Sequence, residues 1–188
     1  MSIRQPASID RREAIMNAAL EAFSRYGFRR TSIEDVADLA GVSRPLVYTH
    51  FKNKADLFAS GAKWLSERIM ADTEAAWPED AAFEDGFAAA ALAKGLPLFR
   101  LLKSSPHGAE LMERSAQSND GMREAMAARF SALIASRIGR RKGAQAFARM
   151  AARALDGVKA SAQDEAQFEE DVRALARALA AGIREAFG

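Results

Sequence analysis

Cysteine is absent from the 188 residues, which removes disulfides, thiolate metal sites and cysteine nucleophiles together. Histidine is scarce: His50 and His107 are the only two. His107 and Glu110 stand three residues apart and in principle could hold a metal or exchange a proton. A di-metal site in a helical bundle needs a second such pair, which the sequence lacks, so no enzyme activity, metal or cofactor is expected. Long apolar runs are missing as well. The longest, Gly86 to Ala93, falls far short of the roughly 20 residues that a membrane-spanning helix needs. Residues 1–10 carry Arg4 and no apolar stretch, which does not read as a secretory signal. The expectation is a soluble, cytoplasmic protein with no membrane partner.

Charge of one sign is also lacking. The net charge is only +2, so bulk charge gives little support for a nucleic-acid partner. Its distribution says more. Up to Phe58 there are nine basic and seven acidic residues, while the remainder holds eighteen of each. Any electrostatic steering therefore resides in the first third of the chain. Hydrophobic residues make up 49% and charged residues 28%, a balance that can build a core without metal or disulfide staples. The length allows one large domain or two small ones.

No β-type alternation, low-complexity tract or internal repeat appears. What is present is helical periodicity with clear start and stop signals. Asp10 and Glu13 form a capping-box-like pair, Ile15, Ala19, Phe23 and Tyr26 recur at helical spacing, and Gly27 supplies an exit. Thr31 to Glu34 offers a second capping box ahead of Ile33, Val36, Ala37 and Ala40 on one face. Gly41 stops that helix and Ser43 caps a third, with Pro45 in its first turn, where a missing N–H is harmless. Asn53 caps a fourth helix running towards Trp77 and Pro78. Phe83 to about Lys103 forms another, with Gly95 and Pro97 expected to bend it. Pro106 opens a short helix broken at Asn119–Asp120–Gly121. The helix from Met122 ends at Arg140–Arg141–Lys142, a run that suits the negative end of a helix dipole. Two last helices follow. The fold is expected to be all-α, with about nine helices. Residues 1–58 should form an N-terminal helix-turn-helix domain (motif about 31–51), and 59–188 a C-terminal helical ligand-binding and dimerisation domain.

The stretch from Thr31 to Phe58 carries the most information. Two capped helices joined through Gly41–Val42 make a helix-turn-helix. Ile33, Val36, Ala37, Ala40, Val47 and Phe51 would fill its small core. Arg44, Pro45, Leu46, Tyr48, Thr49 and His50 then remain outside, a surface suited to a DNA major groove. Arg44 can bond bidentately to guanine, and Pro45 or Leu46 can touch thymine methyls. Tyr48, Thr49 and His50 can donate to phosphates. Lys54 stands at the start of the fourth helix, where the dipole disfavours a cation. Arg29 and Arg30 precede the second helix in the same way. A nearby phosphate would relieve the conflict.

From about Arg12 to Phe58 the chain resembles the DNA-binding domain of the tetracycline-repressor (TetR) family. The matching residues are Ile15, Ala18, Ala19, Phe23, Gly27, Thr31–Ser32–Ile33, Val36–Ala37, Ala40–Gly41–Val42–Ser43, Val47–Tyr48, His50–Phe51, Lys54 and Leu57. The resemblance covers about a quarter of the chain and implies a homodimer, joined through a four-helix bundle of the last two helices of each subunit. It also implies a transcriptional repressor, released from a palindromic double-stranded DNA operator by a small-molecule effector. Carried over residue by residue, Arg44, Pro45 and Tyr48 would meet the DNA, with Thr31, Ser32, His50 and Lys54 near phosphates. Many members carry Gly, Ser or Thr where this chain has Pro45–Leu46, so an operator sequence does not carry over.

Trp64, Phe87, Phe99, His107, Met112, Met126 and Phe130 lie on the central helices. They are candidates to line an apolar ligand pocket, though the same spacing also suits plain core packing. On the last two helices, Phe147, Met150, Leu155, Val158, Phe168, Val172, Leu175 and Leu179 form stripes interleaved with alanine. These are expected to pack against a second copy of the chain, the other reading being that they close the core of one subunit. Two rival functions remain at this point. One is a ligand-independent DNA-binding or architectural protein, and the other is a helical binding module or enzyme whose head makes only protein contacts.

Overall fold

The computed structural model describes residues 11–118 and 121–187. The expected cap at Asp10 and the break at Asn119–Asp120 lie outside the described residues. Nine helices and no strand occur among those described: α1 (Arg11–Arg30), α2 (Ile33–Ala40), α3 (Arg44–His50), α4 (Lys54–Ala75), α5 (Phe83–Ser104), α6 (Gly108–Ser118), α7 (Met122–Ile138), α8 (Ala144–Ser161) and α9 (Glu165–Phe187). They group into two compact units. One takes the described residues up to 65 together with 104–118, and the other takes 66–103 with 121–187. The division thus falls within α4, and α6 belongs with α1 to α3.

The first unit is built on a triangle of aromatic rings. Phe23, Phe28 and Phe58 meet pairwise with centroids 5.4 Å apart. Ile15, Ala19, Val36, Ala37, Val47, Phe51 and Leu57 are buried in the same unit, as the helical spacing of these residues requires. Gly27 does not end α1 but kinks it, with φ 78° and ψ 159°. That backbone favours glycine. The space is closed too, since a Cβ there would lie 2.9 Å from His107 Nδ1 and 3.0 Å from Glu110 Oε2. The start of α6 is fixed to α1 nearby: the Ser105 hydroxyl donates to Ser24 O at 2.7 Å and accepts from the His107 N–H at 3.1 Å.

Two caps differ from expectation. The capping box of α2 is set by Ser32 and Asp35, one residue later than Thr31 and Glu34. The Asp35 N–H donates to Ser32 Oγ at 3.1 Å, and the Ser32 N–H donates to Asp35 Oδ2 at 2.7 Å. Thr31 is instead drawn inward by carbonyls at the end of α1. Ser43 holds the N-cap position of α3 without a side-chain hydrogen bond. Gly41 does close α2 in the left-handed conformation, at φ 65°, and Asn53 Oδ1 accepts from the Asp56 N–H at 2.9 Å at the start of α4.

The second unit packs the rest of α4 with α5, α7, α8 and α9 around one apolar core. Trp77, Phe83, Phe87 and Phe130 form a connected aromatic run, and Phe99 stacks on Phe168 at 5.2 Å. Helix α5 continues through both Gly95 and Pro97. Gly95 serves packing, because a Cβ there would sit 2.5 Å from the Phe168 ring.

The stripes on α8 and α9 correct an expectation. Leu155, Phe168, Val172 and Leu179 are all buried within this single chain, so they are core residues and cannot also meet a second copy. Phe147, Val158 and Leu175 are partly buried against the same core. Met150 alone of the eight is exposed, at 52%. The alanines between the large residues let α7, α8 and α9 close on one another, which consumes the apolar width that pointed to self-association.

Candidate nucleic-acid interface

Helix α3 has seven residues and is held by two side chains. Val47 and Phe51 are buried in the first unit, at 0% and 2% exposure. The rest of the helix faces outward: Arg44, Pro45, Tyr48, Thr49 and His50 are exposed and Leu46 is half-buried. A helix this short gains little from its own hydrogen bonds, so α2 and the buried pair must hold it. Pro45 in the first turn further fixes its backbone.

The exposed side chains form an ordered surface. The Arg44 guanidinium lies 5.7 Å from the centre of the Tyr48 ring and 3.6 Å from Glu34 Oε2. The Tyr48 side chain, and after it the Glu34 carboxylate, hold the Arg44 pKa above its ordinary value, so the guanidinium is permanently charged. Glu34 was not among the expected site residues. No local signal marks it, because its partner is ten positions away and on another helix. Its carboxylate competes with any other acceptor for the Arg44 guanidinium. The Thr49 hydroxyl donates to Leu46 O at 2.6 Å and retains its lone pairs. Ser32 is exposed, with its hydroxyl donating to Asp35 Oδ2 at 2.7 Å. Those contacts with Ser32, through the backbone N–H first, hold the Asp35 carboxyl below its ordinary pKa.

Two expected phosphate contacts are corrected. Thr31 is buried, and its hydroxyl is within hydrogen-bond distance of Gly27 O at 2.8 Å and Ala22 O at 3.2 Å. It braces the end of α1 and presents nothing outward. The Lys54 ammonium donates to Phe28 O at 2.8 Å, Thr31 O at 2.8 Å and Arg29 O at 3.3 Å, and lies 4.6 Å from the centre of the Phe28 ring. All three of its N–H bonds are thus used on carbonyls at the end of α1. Relief from the unfavourable dipole of α4 comes from these oxygens, where a phosphate was expected.

The candidate ligand-lining residues divide between the units. Trp64, His107 and Met112 belong to the first; Phe87, Phe99, Met126 and Phe130 belong to the second. The Trp64 indole donates to Glu13 at 3.3 Å, and His107 Nδ1 lies 3.6 Å from Glu110 Oε2. Phe87, Phe99 and Phe130 are core residues of the second unit, at 0%, 3% and 0% exposure. An open groove of about 520 Å³ lies elsewhere, lined by Ala132, Ser136, Arg140, Arg141, Ala144 and Gln145 among others. Among the described residues no helix is long and apolar enough to cross a membrane.

Residues 15–60 match the family of bacterial regulatory proteins named for tetR. Over 51 residues the chain is 45% identical to the helix-turn-helix transcriptional regulator YhgD of Bacillus subtilis, an alignment covering 27% of each chain. It is 50% identical over 46 residues to the transcriptional regulator TtgR of Pseudomonas putida, covering 24% of this chain and 22% of that one. The chain thus aligns with about a quarter of the length of these relatives. A TetR-family transcriptional regulator from Streptomyces coelicolor shares the fold over much more of the molecule. Its TM-score is 0.68 over 92% of this chain and 79% of that one, at 18% identity. The kinked α1, the capped α2 and the outward face of α3 all fall inside the stretch that is similar to the tetR family of bacterial regulatory proteins.

Proposed function

We propose that the protein is a cytoplasmic, non-catalytic transcriptional regulator that binds a palindromic DNA operator as a homodimer and is released by a small molecule. The observation that carries this reading is the outward face of α3, where five consecutive-turn side chains are exposed around a buried Val47. Arg44 reads a guanine edge once it leaves Glu34, and Pro45 with Leu46 meets thymine methyls. Tyr48, Thr49, His50 and Ser32 approach phosphates and set the register. Two copies give two such helices, spaced about 34 Å apart to enter successive major grooves. The exposed sides of α8 and α9, with Met150, Ala146, Ala174, Ala178 and Ala181, offer the surface for pairing. Effector and operator are then coupled reciprocally, by about 1–3 kcal/mol in typical cases.

The test is fluorescence anisotropy of the full chain on DNA flanking its own gene, at several salt concentrations. Affinity should fall linearly with salt on logarithmic axes. Arg44→Ala should lower selectivity roughly tenfold at one position of each half-site while leaving other positions unchanged. Salt-independent binding, or an Arg44→Ala loss spread evenly over all sequences, removes the base-reading role of α3.

A further inference from the structure

Lys94 lies on α5 in the second unit and is only 7% exposed. Its ammonium sits 5.3 Å from the centre of the Phe130 ring, and among the described residues it has no hydrogen-bond or ion-pair partner. An aromatic face attracts a cation but does not replace the water that burial removes. The nearby charges pull both ways. Asp156 favours a charged Lys94, while Lys159 and Arg123 act against it. Asp156 is already engaged, at 3.7 Å from Lys159 Nζ. Lys159 and Lys94 therefore share one nearby carboxylate.

The cluster is graded from outside to inside. The Asp156 side chain is 41% exposed, that of Lys159 21%, and Lys94 stands at the inner end. Lys94 faces Phe130, whose ring centre lies 6.0 Å from that of Phe87. We propose that Lys94 and Lys159, with Arg123 nearby, form the anion-recognising end of a ligand site in the second unit. Its ligand is a small apolar molecule carrying a carboxylate. The carboxylate takes the N–H bonds that Lys94 leaves unused, and the apolar part lies along Phe130. A hydrogen-bonded ion pair in a partly dry setting is the contact that an unpartnered lysine is best able to make. As a binding site this stands on the cluster itself; as the class of effector, it rests on the regulator reading above.

The experiment is isothermal titration of the full chain with octanoate and benzoate, against 1-octanol and benzyl alcohol as uncharged counterparts. The acids should bind at least about tenfold more tightly than the alcohols. Lys94→Met keeps the apolar stem and should erase that preference. Asp156→Asn frees the lysines from their competing carboxylate and should tighten the acids severalfold, an effect that poor folding cannot imitate. Equal binding of acids and alcohols, no binding of any of the four, or an acid preference that survives Lys94→Met overturns the site. Anisotropy on operator DNA separates the two readings. An acid that binds through Lys94 yet leaves DNA affinity unchanged upholds the site and removes its effector role. Release of DNA by the alcohols alone upholds the effector reading and overturns the site.

Discussion

Lys54 in the first unit and Lys94 in the second meet opposite surroundings. Lys54 spends its three N–H bonds on carbonyls of Phe28, Arg29 and Thr31, and so turns a cation into a clasp between α4 and the end of α1. Lys94 is more deeply buried, faces the Phe130 ring and has no oxygen partner among the described residues. The same contrast runs through their neighbours. In the first unit Thr31, Ser32 and Ser105 are all hydrogen-bonded. In the second, Trp77 Nε1 and Arg137 Nε are buried without partners. A unit that must hold a short helix in one orientation satisfies its polar groups internally. The second unit leaves these two nitrogens unspent.

The contrast can be broken at several points. The largest effect is expected for Phe168→Ala, which removes a fully buried ring stacked on Phe99 and seated against Gly95. It should cost about 3–5 kcal/mol in chemical denaturation, as large-to-small changes in a packed core do. A loss well under 1 kcal/mol would mean that the α9 stripe faces outward after all.

Lys54→Met comes next. It strips three helix-end carbonyls of a charged donor and should cost about 1.5–3 kcal/mol. DNA affinity should then drop with stability rather than through a lost phosphate contact. If stability is unchanged while the salt slope falls by about one, the phosphate role returns.

Lys94→Met should act in the opposite direction, raising stability by about 1–2 kcal/mol near neutral pH because an unpaired charge leaves the interior. Burial first, and then Lys159 and Arg123, hold the Lys94 pKa below the ordinary lysine value, with Asp156 opposing them. Between that lowered value and the ordinary one the unfolded chain binds more protons than the folded chain. Wild-type stability therefore gains with rising pH in that window, and Lys94→Met should lack this gain in urea titrations across alkaline pH. Equal pH slopes for the two proteins would contradict the burial of a charged group there.

The smallest effect is expected for Ser32→Ala, about 1 kcal/mol through loss of the α2 cap. The Asp35 pKa is lowered chiefly by the Ser32 N–H. Its contribution is complete above the ordinary aspartate value and fades as pH falls through the lowered one. Since the backbone N–H remains, Ser32→Ala should reduce but not abolish the acid dependence of the first unit. An unaltered midpoint would place the cap elsewhere.

Much of the fold was legible because its signals are local. Helical spacing, the Gly41 exit, the Asn53 cap and the Val47–Phe51 anchor each depend on residues within a turn or two of one another. The outward face of α3 followed from the same arithmetic, since fixing two inward residues on a seven-residue helix fixes the rest. Errors arose where a local rule met a distant competitor. Thr31 has the chemistry of a cap, but the carbonyls of Ala22 and Gly27 claimed its hydroxyl, and the box moved to Ser32 and Asp35.

By itself, then, the chain determined where helices begin and end and which side of each is apolar, because those features are decided by neighbours a few bonds apart. Only the tertiary structure decided what each side is pressed against. It gave Lys54 three oxygens from 23 to 26 positions earlier, gave Lys94 none among the described residues, and filled the second unit with stripes that could equally have faced a second copy. An apolar stripe carries no label for its partner. Burial is a property of the whole packed volume, whereas periodicity belongs to the segment alone.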